Sequence, residues 1–462
     1  MRTAVWAVVL AGSAVLCPAA PKPADWVPVR WPWTDAASLD LLKDTPVNCL
    51  LLENYTSEFA AAASARGIVT LAVIDPKGGA DSVRKALAAK ITGVAMEGDF
   101  PDAAAAAVRQ AAGTAPVVEI TTRNHMPLGS PEPILATFQG VWPGVAVQEN
   151  GSTRAGPSGS AWIDTNTGFI RAVRAWGDAA VWVANRPPEH SVIPAARYLQ
   201  AIADAAASGA RWVVALDSGF AGRLHKRDAD ATSDWHRMTQ LLGYFEAHPE
   251  WRSMREFGQL AIVQDPEKGG LLSGGILDMI AVKHTPVRAI PRQHLTPDSL
   301  SGATMAVDVD ADSLTTEQKD VLKGFARSGG MVLTGPPGWK DARPDGNRIT
   351  LDEKELARLN DIWHDVNSMV GRRNLGVRLF NVSSMLSNVL TTPDGKTVVL
   401  HLVNYSDYPV ENVTVHYMGK FRTATLLTPE GSEKKLEIYP TEDGGGVDLD
   451  KVAVFATVRL EQ

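Results

Sequence analysis

The stretch NCLLLENYTSEFAAAASARGIVTLAVID, residues 48–75, contains the pattern that decides the fold. It begins with an apolar run, continues with an alanine-rich segment that stops at Gly67, and closes with a second apolar run. Apolar runs without polar alternation are typical of strands buried on both faces, and the alanine-rich segment between them is typical of a helix. The order strand, helix, strand predicts two parallel strands joined by a crossover helix.

The same unit recurs along the first half of the chain. Eight apolar runs alternate with helix-like segments: VPVRW (27–31), NCLLLE (48–53), IVTLAVID (68–75), ITGVAME (91–97), PVVEITT (116–122), VAVQEN (145–150), AVWVANR (180–186) and RWVVALDS (211–218). Eight such units predict an α/β fold with a closed (β/α)₈ TIM barrel over residues 21–255. PEPILATFQGV (131–141) is predicted as the helix after the fifth strand. A doubly wound open sheet is the alternative, and it is disfavoured because no glycine-rich phosphate loop follows the first strand.

Two further patterns follow the barrel. Residues 256–345 return to strand–helix alternation, with TTEQKDVLKGFARSGG as a long helix, and predict a small α/β domain. Residues 346–374 predict a connecting helix. From residue 375 strands alternate with turns such as PDGK (393–396), which predicts an antiparallel β-sandwich over 375–462.

Charge and the first twenty residues bear on partners and location. The 462-residue chain has 45 Lys and Arg against 52 Asp and Glu, a net charge of −7, which disfavours a nucleic-acid-binding protein. Residues 1–20 contain Arg2, then a short apolar run and then small residues, and this order predicts the signal peptide of a secreted or periplasmic protein. A buried N-terminal strand is the alternative. The run is too short for a membrane span. A lipid anchor at Cys17 is disfavoured because Leu16 stands where a small residue is needed.

No metal or cofactor is expected. The chain has two cysteines and ten histidines, and they show no metal-ligand spacing. No GxSxG elbow of a serine hydrolase is present, and the glycine-rich GSTRAGPSGS segment does not fit a phosphate loop.

The order barrel, small α/β domain and sandwich resembles the glycoside hydrolases related to the family 42 β-galactosidases. The likeness rests on three stretches. The last barrel helix and exit of those enzymes resemble WHRMTQLLGYFEAHPEWRSM, and the end of their amidotransferase-like trimerisation domain resembles TTEQKDVLKGFARSGGMVLTG. The start of their C-terminal sandwich resembles KTVVLHLVNYSDYPVENVTV. The resemblance implies cleavage of glycosidic bonds and a carbohydrate substrate. It also implies homo-oligomer formation through the small domain.

The chain departs from that family at both catalytic positions. Those enzymes carry Asn-Glu at the end of strand four and a nucleophilic Glu at the end of strand seven. This chain has Met96-Glu97 at the first place and Asn185-Arg186 at the second. Only Glu97 therefore has a matching place.

Carboxylates at the ends of the predicted strands are the candidate catalytic residues. Active sites of such barrels form at the C-terminal ends of the strands, and glycoside hydrolysis usually needs two carboxyl groups. Glu97 is predicted as the general acid, because the apolar sequence before it would favour its protonated form. A structural ion pair is its alternative. Glu149 or Asp217 is predicted as the base or nucleophile; the alternatives are loop capping for Glu149 and an N-cap or Asx-turn role for Asp217. Asp75 and Asp99 are expected in turns.

Aromatic and polar residues after the same strands are the candidate substrate-binding residues. Trp31, Trp33 and Trp162 are predicted as platforms for sugar rings, with packing over the barrel rim as the alternative. Polar side chains are predicted to bind hydroxyls, or a uronic-acid carboxylate in the case of arginine, with loop structure as the alternative: Glu53, Arg123, Asn124, His125, Asn185 and Arg186. The sequence thus predicts an exported glycoside hydrolase. A non-catalytic carbohydrate-binding barrel and an assembly scaffold are the alternatives.

Overall fold

The computed structural model describes most of the chain. The described ranges are 21–143, 165–187, 190–264, 285–308, 314–334, 376–382, 384–431, 433–442 and 444–462, with the backbone of 147–149 and 152–154 and single residues within 357–369. The predicted signal peptide, Trp162, the side chain of Glu149 and most of the predicted connecting helix lie outside the described residues.

Eight parallel strands form a barrel. They pair in the order β1 (Pro28–Arg30), β2 (Cys49–Leu52), β3 (Val69–Ile74), β4 (Gly93–Glu97), β5 (Val117–Thr121), β6 (Ile134–Thr137), β9 (Ala180–Ala184) and β10 (Arg211–Val213). A parallel bridge between Val29 and Val214 joins the last strand to the first, and the Arg30 amide donates to the Val214 carbonyl at 2.8 Å. The predicted barrel is therefore confirmed.

Helices cover the outer wall of the barrel. They are α1 (Ser57–Ala65), α2 (Gly79–Ala88), α3 (Asp102–Ala112), α4 (Thr167–Arg174), α5 (Ala195–Ala207), α6 (Ser218–His225) and α7 (Ala229–Glu246). Two connections hold short 3-10 helices instead, Ala36–Leu42 after β1 and Arg123–His125 after β5. Among the described residues, no helix combines the length and the apolar composition that crossing a bilayer requires.

The sixth barrel strand is the segment ILAT, and the prediction of a helix over 131–141 is wrong. All four residues of β6 are buried, and the prolines at 131 and 133 disfavour a helix through this segment because proline restricts the residue before it. VAVQEN contributes β7 (Val147–Glu149), which pairs antiparallel with β8 (Ser152–Arg154) in a hairpin. Glu149 therefore lies in the connection between β6 and α4, and its predicted place at the end of a barrel strand is wrong.

The alternation of side chains along the strands decides which residues reach the mouth of the barrel. On β2, Cys49 and Leu51 belong to the core inside the barrel, whereas Leu50 and Leu52 pack in the core between barrel and helices. On β4, Ala95 is inside. Successive residues of a strand point to opposite faces, so a residue two positions beyond an inward one also faces the barrel axis. At the C-terminal ends, these positions are the ones that face the mouth.

A four-stranded parallel sheet follows the barrel in the chain. Its order is β13 (Val287–Pro291), β12 (Leu260–Gln264), β14 (Met305–Asp308) and β15 (Met331–Thr334), and α8 (Thr316–Arg327) connects β14 to β15. A capping box starts α8, because Thr315 and Gln318 bond each other's backbone amides.

Two antiparallel sheets form the C-terminal sandwich that the turn-rich sequence predicts. One has the order β11 (Arg255–Glu256), β17 (Met385–Thr391), β18 (Thr397–Asn404), β24 (Phe455–Glu461), β20 (Thr423–Leu427) and β21 (Glu433–Leu436). The other has the order β16 (Val377–Phe380), β19 (Val410–Met418), β23 (Gly444–Val452) and β22 (Tyr439–Pro440). Leu400, Val413 and Val447 are among the residues of the core between the sheets. Since β11 comes directly after the barrel, its pairing with β17 joins the end of the barrel to the sandwich.

Candidate active site

A cleft of about 670 Å³ opens at the C-terminal ends of the barrel strands. Its size is within the range of small-molecule sites. Residues at or just beyond the ends of β1, β4, β5, β6 and β9 line it: Arg30, Glu97, Gly98, Asp99, Thr122, Asn124, His125, Phe138, Gln139, Asn185 and Arg186. This is the end of the barrel at which enzymes of this fold carry out their chemistry.

Two arginines and two glutamates form a closed set of ion pairs at this cleft, here called the charge ring. Arg30 contacts the Oε2 atom of Glu97 through Nη2, and its Nη1 lies 3.5 Å from Oε1 of Glu53. Arg186 contacts the same two glutamates, with Nη1 2.6 Å from Oε1 of Glu53 and Nη2 3.3 Å from Oε1 of Glu97. The ring thus joins four different strand ends and carries no net charge.

Strand alternation brings the ring together. Three residues of the ring each come two positions after a residue that faces the inside of the barrel: Glu53 after Leu51, Glu97 after Ala95, and Arg186 after Ala184. Gly98 follows Glu97 with a φ of +116°, a conformation that L side chains rarely adopt. This glycine lets the chain turn away directly after β4, which leaves the Glu97 side chain at the mouth.

Glu97 is surrounded by charge, and the apolar surrounding that predicted an acid role is not found. Its side chain is 17% exposed, and both carboxylate oxygens contact a guanidinium group. Such partners stabilise the carboxylate anion. Oε1 has the looser contacts, 3.3 and 3.4 Å from two nitrogens of Arg186, so this oxygen is the one that a ligand can reach more readily.

Asp99 and His125 form a second polar pair in the cleft. The Nδ1 atom of His125 lies 2.8 Å from Oδ2 of Asp99. The backbone amide of Thr122 donates to Oδ1 of Asp99 at 3.0 Å, and the Thr122 hydroxyl lies 2.9 Å from Oδ2. Asp99 was expected in a turn, and the structure instead places its carboxylate in the cleft lining. Asp75 does cap a turn, because its carboxylate accepts from the Gly78 amide at 2.7 Å.

The polar residues predicted to bind substrate divide into two groups. Asn124, His125, Asn185 and Arg186 line the cleft, and Asn185 donates from its side-chain amide to the Gly140 carbonyl at 2.6 Å. Glu53 and Arg123 form the second group, because neither belongs to the described lining of the cleft.

Arg123 is buried and does not line the cleft. Its Nε donates to the Gln139 carbonyl at 3.1 Å, and its Nη2 donates to Oδ1 of Asn166 at 3.2 Å. The guanidinium also lies 4.1 Å from the ring centroid of Phe169. These contacts tie the end of β5 to the start of α4, which is the loop-structure alternative rather than substrate binding.

Trp31 and Trp33, the two predicted tryptophan platforms that the structure describes, are not part of the cleft lining. Trp31 is buried on the outward face of β1, where its Nε1 donates to Ser38 at 3.1 Å. Trp33 is half-buried and stacks on His225 with 5.5 Å between ring centroids. The aromatic residue that lines the cleft is Phe138, two positions beyond the inward Ala136. It was missed because its segment was assigned to a helix.

Asp217 has the structural role that was its alternative. It is the N-cap of α6, where Oδ1 accepts from the Phe220 amide at 2.9 Å. Oδ2 accepts from the Tyr198 hydroxyl at 2.9 Å, and burial raises the pKa of that hydroxyl, which keeps it protonated as a donor. Asp217 is buried and does not line the cleft, so the geometry does not support the predicted catalytic role.

Arg30 was not predicted as a site residue, although the signal for it was present. It ends an apolar run in the same way that Glu97 does, and a charge at the last position of a buried strand has to reach the mouth or find a partner. Within the described part of the chain, no group of three or more His, Cys, Asp or Glu side chains is placed to hold a metal ion.

Comparison with solved structures finds a similar fold in an α-L-fucosidase. No protein-family model matches the chain, and no curated protein matches it significantly in sequence. The α-L-fucosidase isoenzyme 2 from Paenibacillus thiaminolyticus superposes with a TM-score of 0.59 at 9% identity, over 93% of this chain and 96% of that one. This likeness shows that the fold is shared over nearly the whole length of both chains.

Two other solved structures are more distant. A rhamnosidase from Novosphingobium sp. PP1Y gives a TM-score of 0.43 at 12% identity, over 88% of this chain and 39% of that one. A GH42 β-galactosidase from G. stearothermophilus gives a TM-score of 0.41 at 13% identity, over 77% of this chain and 65% of that one.

Proposed function

We propose that the protein is a glycoside hydrolase that cleaves a sugar in the cleft at the mouth of the barrel. The observation that carries the proposal is the position of Glu97, an arginine-bound carboxylate at the end of β4 inside a cleft of small-molecule size. The shared fold with an α-L-fucosidase supports this class of reaction.

Glu97 acts as the nucleophile in this proposal, rather than as the acid that its sequence setting predicts. A nucleophile has to be ionised when it attacks, and the two guanidinium groups of the ring favour the anion. Because Oε1 has the looser contacts, we assign the attack on the anomeric carbon to that oxygen. Glu53 supports it indirectly by holding Arg186 in place.

The cleft suits a neutral sugar. Arg30 and Arg186 already have carboxylate partners in Glu97 and Glu53, so a uronic-acid carboxylate would have to displace one of them. Phe138 offers an aromatic surface to the C–H face of a sugar ring. Asn124 and Asn185, which also line the cleft, supply amide groups for hydroxyls.

The test is a screen of aryl glycosides with the wild-type protein and Glu97→Gln. The panel contains α-L-fucosides, β-galactosides and α-L-rhamnosides, after the names of the structural neighbours, and glucuronides as the charged contrast. We expect turnover of a neutral glycoside, none of a glucuronide, and loss of turnover in Glu97→Gln.

Glu433→Gln is the matched control. It makes the same chemical change on β21 of the sandwich, where Glu433 pairs with Arg459 at 3.2 Å far along the chain from the barrel strands. It should keep wild-type turnover. Full activity in Glu97→Gln would show that another residue performs the attack.

A non-catalytic carbohydrate-binding barrel is the second candidate. Two observations favour it. The charge ring satisfies Glu97 without any substrate. Asn185-Arg186 also stands at the strand end where related barrel enzymes carry a glutamate. This candidate predicts that calorimetry detects sugar binding in the absence of turnover. It also predicts that Phe138→Ala weakens that binding.

Export is a further part of the proposal, and it rests on residues 1–20 alone. N-terminal sequencing of the protein recovered outside the cytoplasm should begin just after Ala19 or Ala20. Recovery of the uncleaved chain in the cytoplasm would argue for the buried-strand alternative. Homo-oligomer formation stays a prediction from the resemblance.

A further inference from the structure

The reaction proposed above needs a group that gives a proton to the departing oxygen and later takes one from water. In the described lining of the cleft, the titratable side chains other than arginine are Glu97, Asp99 and His125. Both carboxylate oxygens of Glu97 contact a guanidinium group, and this residue is already assigned the attack on the sugar. The proton has to come from a different side chain.

Asp99 is engaged by neighbouring side chains and backbone as well. It accepts from the Thr122 amide at 3.0 Å, lies 2.9 Å from the Thr122 hydroxyl, and lies 2.8 Å from Nδ1 of His125. The group left in the described lining that ordinarily exchanges a proton near neutral pH is the imidazole of His125.

We propose that His125 is the general acid and base of this site and that Asp99 orients it; the proposal rests on the proposed function, with Glu97 as nucleophile. Nδ1 of His125 is engaged by Asp99 and Thr122, so Nε2 is the nitrogen that exchanges protons with the substrate. Asp99 fixes the tautomer that keeps the proton on Nδ1, and it stabilises the imidazolium when Nε2 is protonated.

The backbone brings the pair together through two neighbouring strand ends. Asp99 follows the turn at Gly98, after β4, and His125 ends the 3-10 helix that follows β5. The Gly98 amide donates to the Ile120 carbonyl at 2.9 Å, so the two strands stay in register up to this turn. The side chain of His125 is 66% exposed, which leaves its ring open to a substrate in the cleft.

The two steps balance as follows. The imidazolium of His125 gives its Nε2 proton to the glycosidic oxygen as the bond from that oxygen to the anomeric carbon breaks. The bonding pair stays on the oxygen, which leaves as an alcohol, while a carboxylate oxygen of Glu97 forms the bond to the anomeric carbon. Neutral His125 then takes a proton from water, the water oxygen displaces Glu97, and the imidazolium is restored.

Few charged groups of the described lining surround His125. Asp99 contacts the imidazole directly. The others are the carboxylate of Glu97 and the guanidinium groups of Arg30 and Arg186. Bond formation between Glu97 and the sugar removes one negative charge, which helps His125 to give up its proton in the first step.

The experiment compares two leaving groups on the sugar that the wild type cleaves. The dinitrophenolate of a 2,4-dinitrophenyl glycoside leaves without protonation. The methylumbelliferyl oxygen is a poorer leaving group and needs a proton from an acid as it leaves. We expect His125→Ala to lower kcat/KM for the methylumbelliferyl glycoside by about 10²- to 10⁴-fold, and for the dinitrophenyl glycoside by less than about tenfold. The limb of the wild-type pH profile that reports the acid should be absent from the variant.

Asp99→Asn and His236→Ala complete the design. Asp99→Asn should show the same leaving-group dependence in a weaker form, because the histidine remains without its orienting carboxylate. His236 is an exposed histidine on α7, and His236→Ala should behave as the wild type does.

The outcomes separate this proposal from the proposed function. Equal losses for both leaving groups in His125→Ala, or no loss, would overturn the role of His125 while the hydrolase stands. Leaving-group dependence in Glu149→Gln, with none in His125→Ala, would give the acid role to the hairpin carboxylate instead. No turnover of any glycoside by the wild type would overturn both proposals.

Discussion

The mouth of the barrel and the contact between the barrel and the sandwich both contain a carboxylate with several partners, and the two carboxylates differ in the kind of partner that surrounds them. At the contact, Asp204 of α5 is fully buried and accepts from four donors: the Asn166 amide at 2.8 Å, the Asn166 side chain at 2.8 Å, the Thr167 hydroxyl at 3.1 Å and the Tyr405 hydroxyl at 2.6 Å. Burial nevertheless raises the pKa of Asp204, against the effect of those hydrogen bonds.

The charge ring at the mouth is joined by ion pairs more than by hydrogen bonds. Arg30 is buried, yet its Nε and Nη1 have no hydrogen-bond partner, and the contacts between Glu97 and Arg186 are long. Buried polar groups that lack partners cost stability, and proteins tolerate that cost where function needs it. Neutral donors from the barrel and the sandwich surround Asp204, whereas guanidinium groups surround Glu97, so we expect the two places to respond differently to substitution.

The largest expected effect is the loss of stability in Asp204→Ala. The substitution leaves the Tyr405 and Thr167 hydroxyls and two groups of Asn166 without their buried acceptor. We expect the free energy of unfolding to fall by about 3 to 5 kcal/mol in a denaturant titration. A loss below about 1 kcal/mol would show that water enters the contact and replaces the carboxylate.

Acid should weaken the same contact through His401. Burial among aromatic rings lowers the pKa of His401 to about 3 in the folded protein, against about 6.5 in an unfolded chain. The neutral histidine therefore contributes stability above pH 6.5, and this contribution is lost as the pH falls towards 3. At pH 4 the loss in the free energy of unfolding is up to about 3 kcal/mol. Asp204 acts in the opposite direction, since its raised pKa makes protonation in the folded state favourable.

His401→Phe isolates this contribution. The variant keeps an aromatic ring beside Trp251 and Phe455 and loses only the hydrogen bond to Thr457. Unfolding free energies of both proteins at pH 7 and pH 4 should show a smaller acid loss in the variant. Equal acid losses would mean that His401 is protonated in the folded state without a penalty.

Arg30→Met should separate function from stability at the mouth. The methionine fills most of the buried volume and Arg186 stays as a partner of Glu97, so the free energy of unfolding should fall by less than it does in Asp204→Ala. Glu97 loses its closest cation, and kcat/KM should fall about a hundredfold. A variant that is both stable and fully active would show that the ring plays no part in catalysis.

The smallest effect is expected at an exposed ion pair. Asp40 and Arg66 lie 2.9 Å apart, and their side chains are 64% and 40% exposed. Asp40→Asn should change the free energy of unfolding by less than about 1 kcal/mol, since water screens the pair. A larger loss would mean that ion pairs of this protein cannot be ranked by burial.

Local pattern was enough to predict the barrel and part of its mouth. Strand–helix alternation gave seven of the eight barrel strands, and the sixth was missed because a short apolar run does not distinguish a strand from a buried helix. Alternation within VPVRW could also have predicted that Arg30 faces inward and Trp31 outward, since Val27 and Val29 pack on the outer face. The same alternation places Glu53, Glu97 and Arg186 at the mouth.

Contacts between distant segments could not be predicted. The Asp99–His125 pair joins the turn after one strand to the loop after the next, and the Asp204–Tyr405 bond joins the barrel to the sandwich. Neither partner carries a local signal for the other. The role of Asp217 could not be predicted for a different reason. A carboxylate after a strand is equally suited to catalysis and to capping the helix that follows.

The most direct test of the central claim is covalent trapping of Glu97. The wild-type protein would be incubated with the 2-deoxy-2-fluoro aryl glycoside of the sugar that it cleaves, digested with trypsin and analysed by tandem mass spectrometry. We predict that the peptide 91–109 gains the mass of one fluoroglycosyl group and that the fragments place it on Glu97. A label on any other residue, or turnover of the parent glycoside with no label at all, would contradict the assignment of Glu97 as the nucleophile.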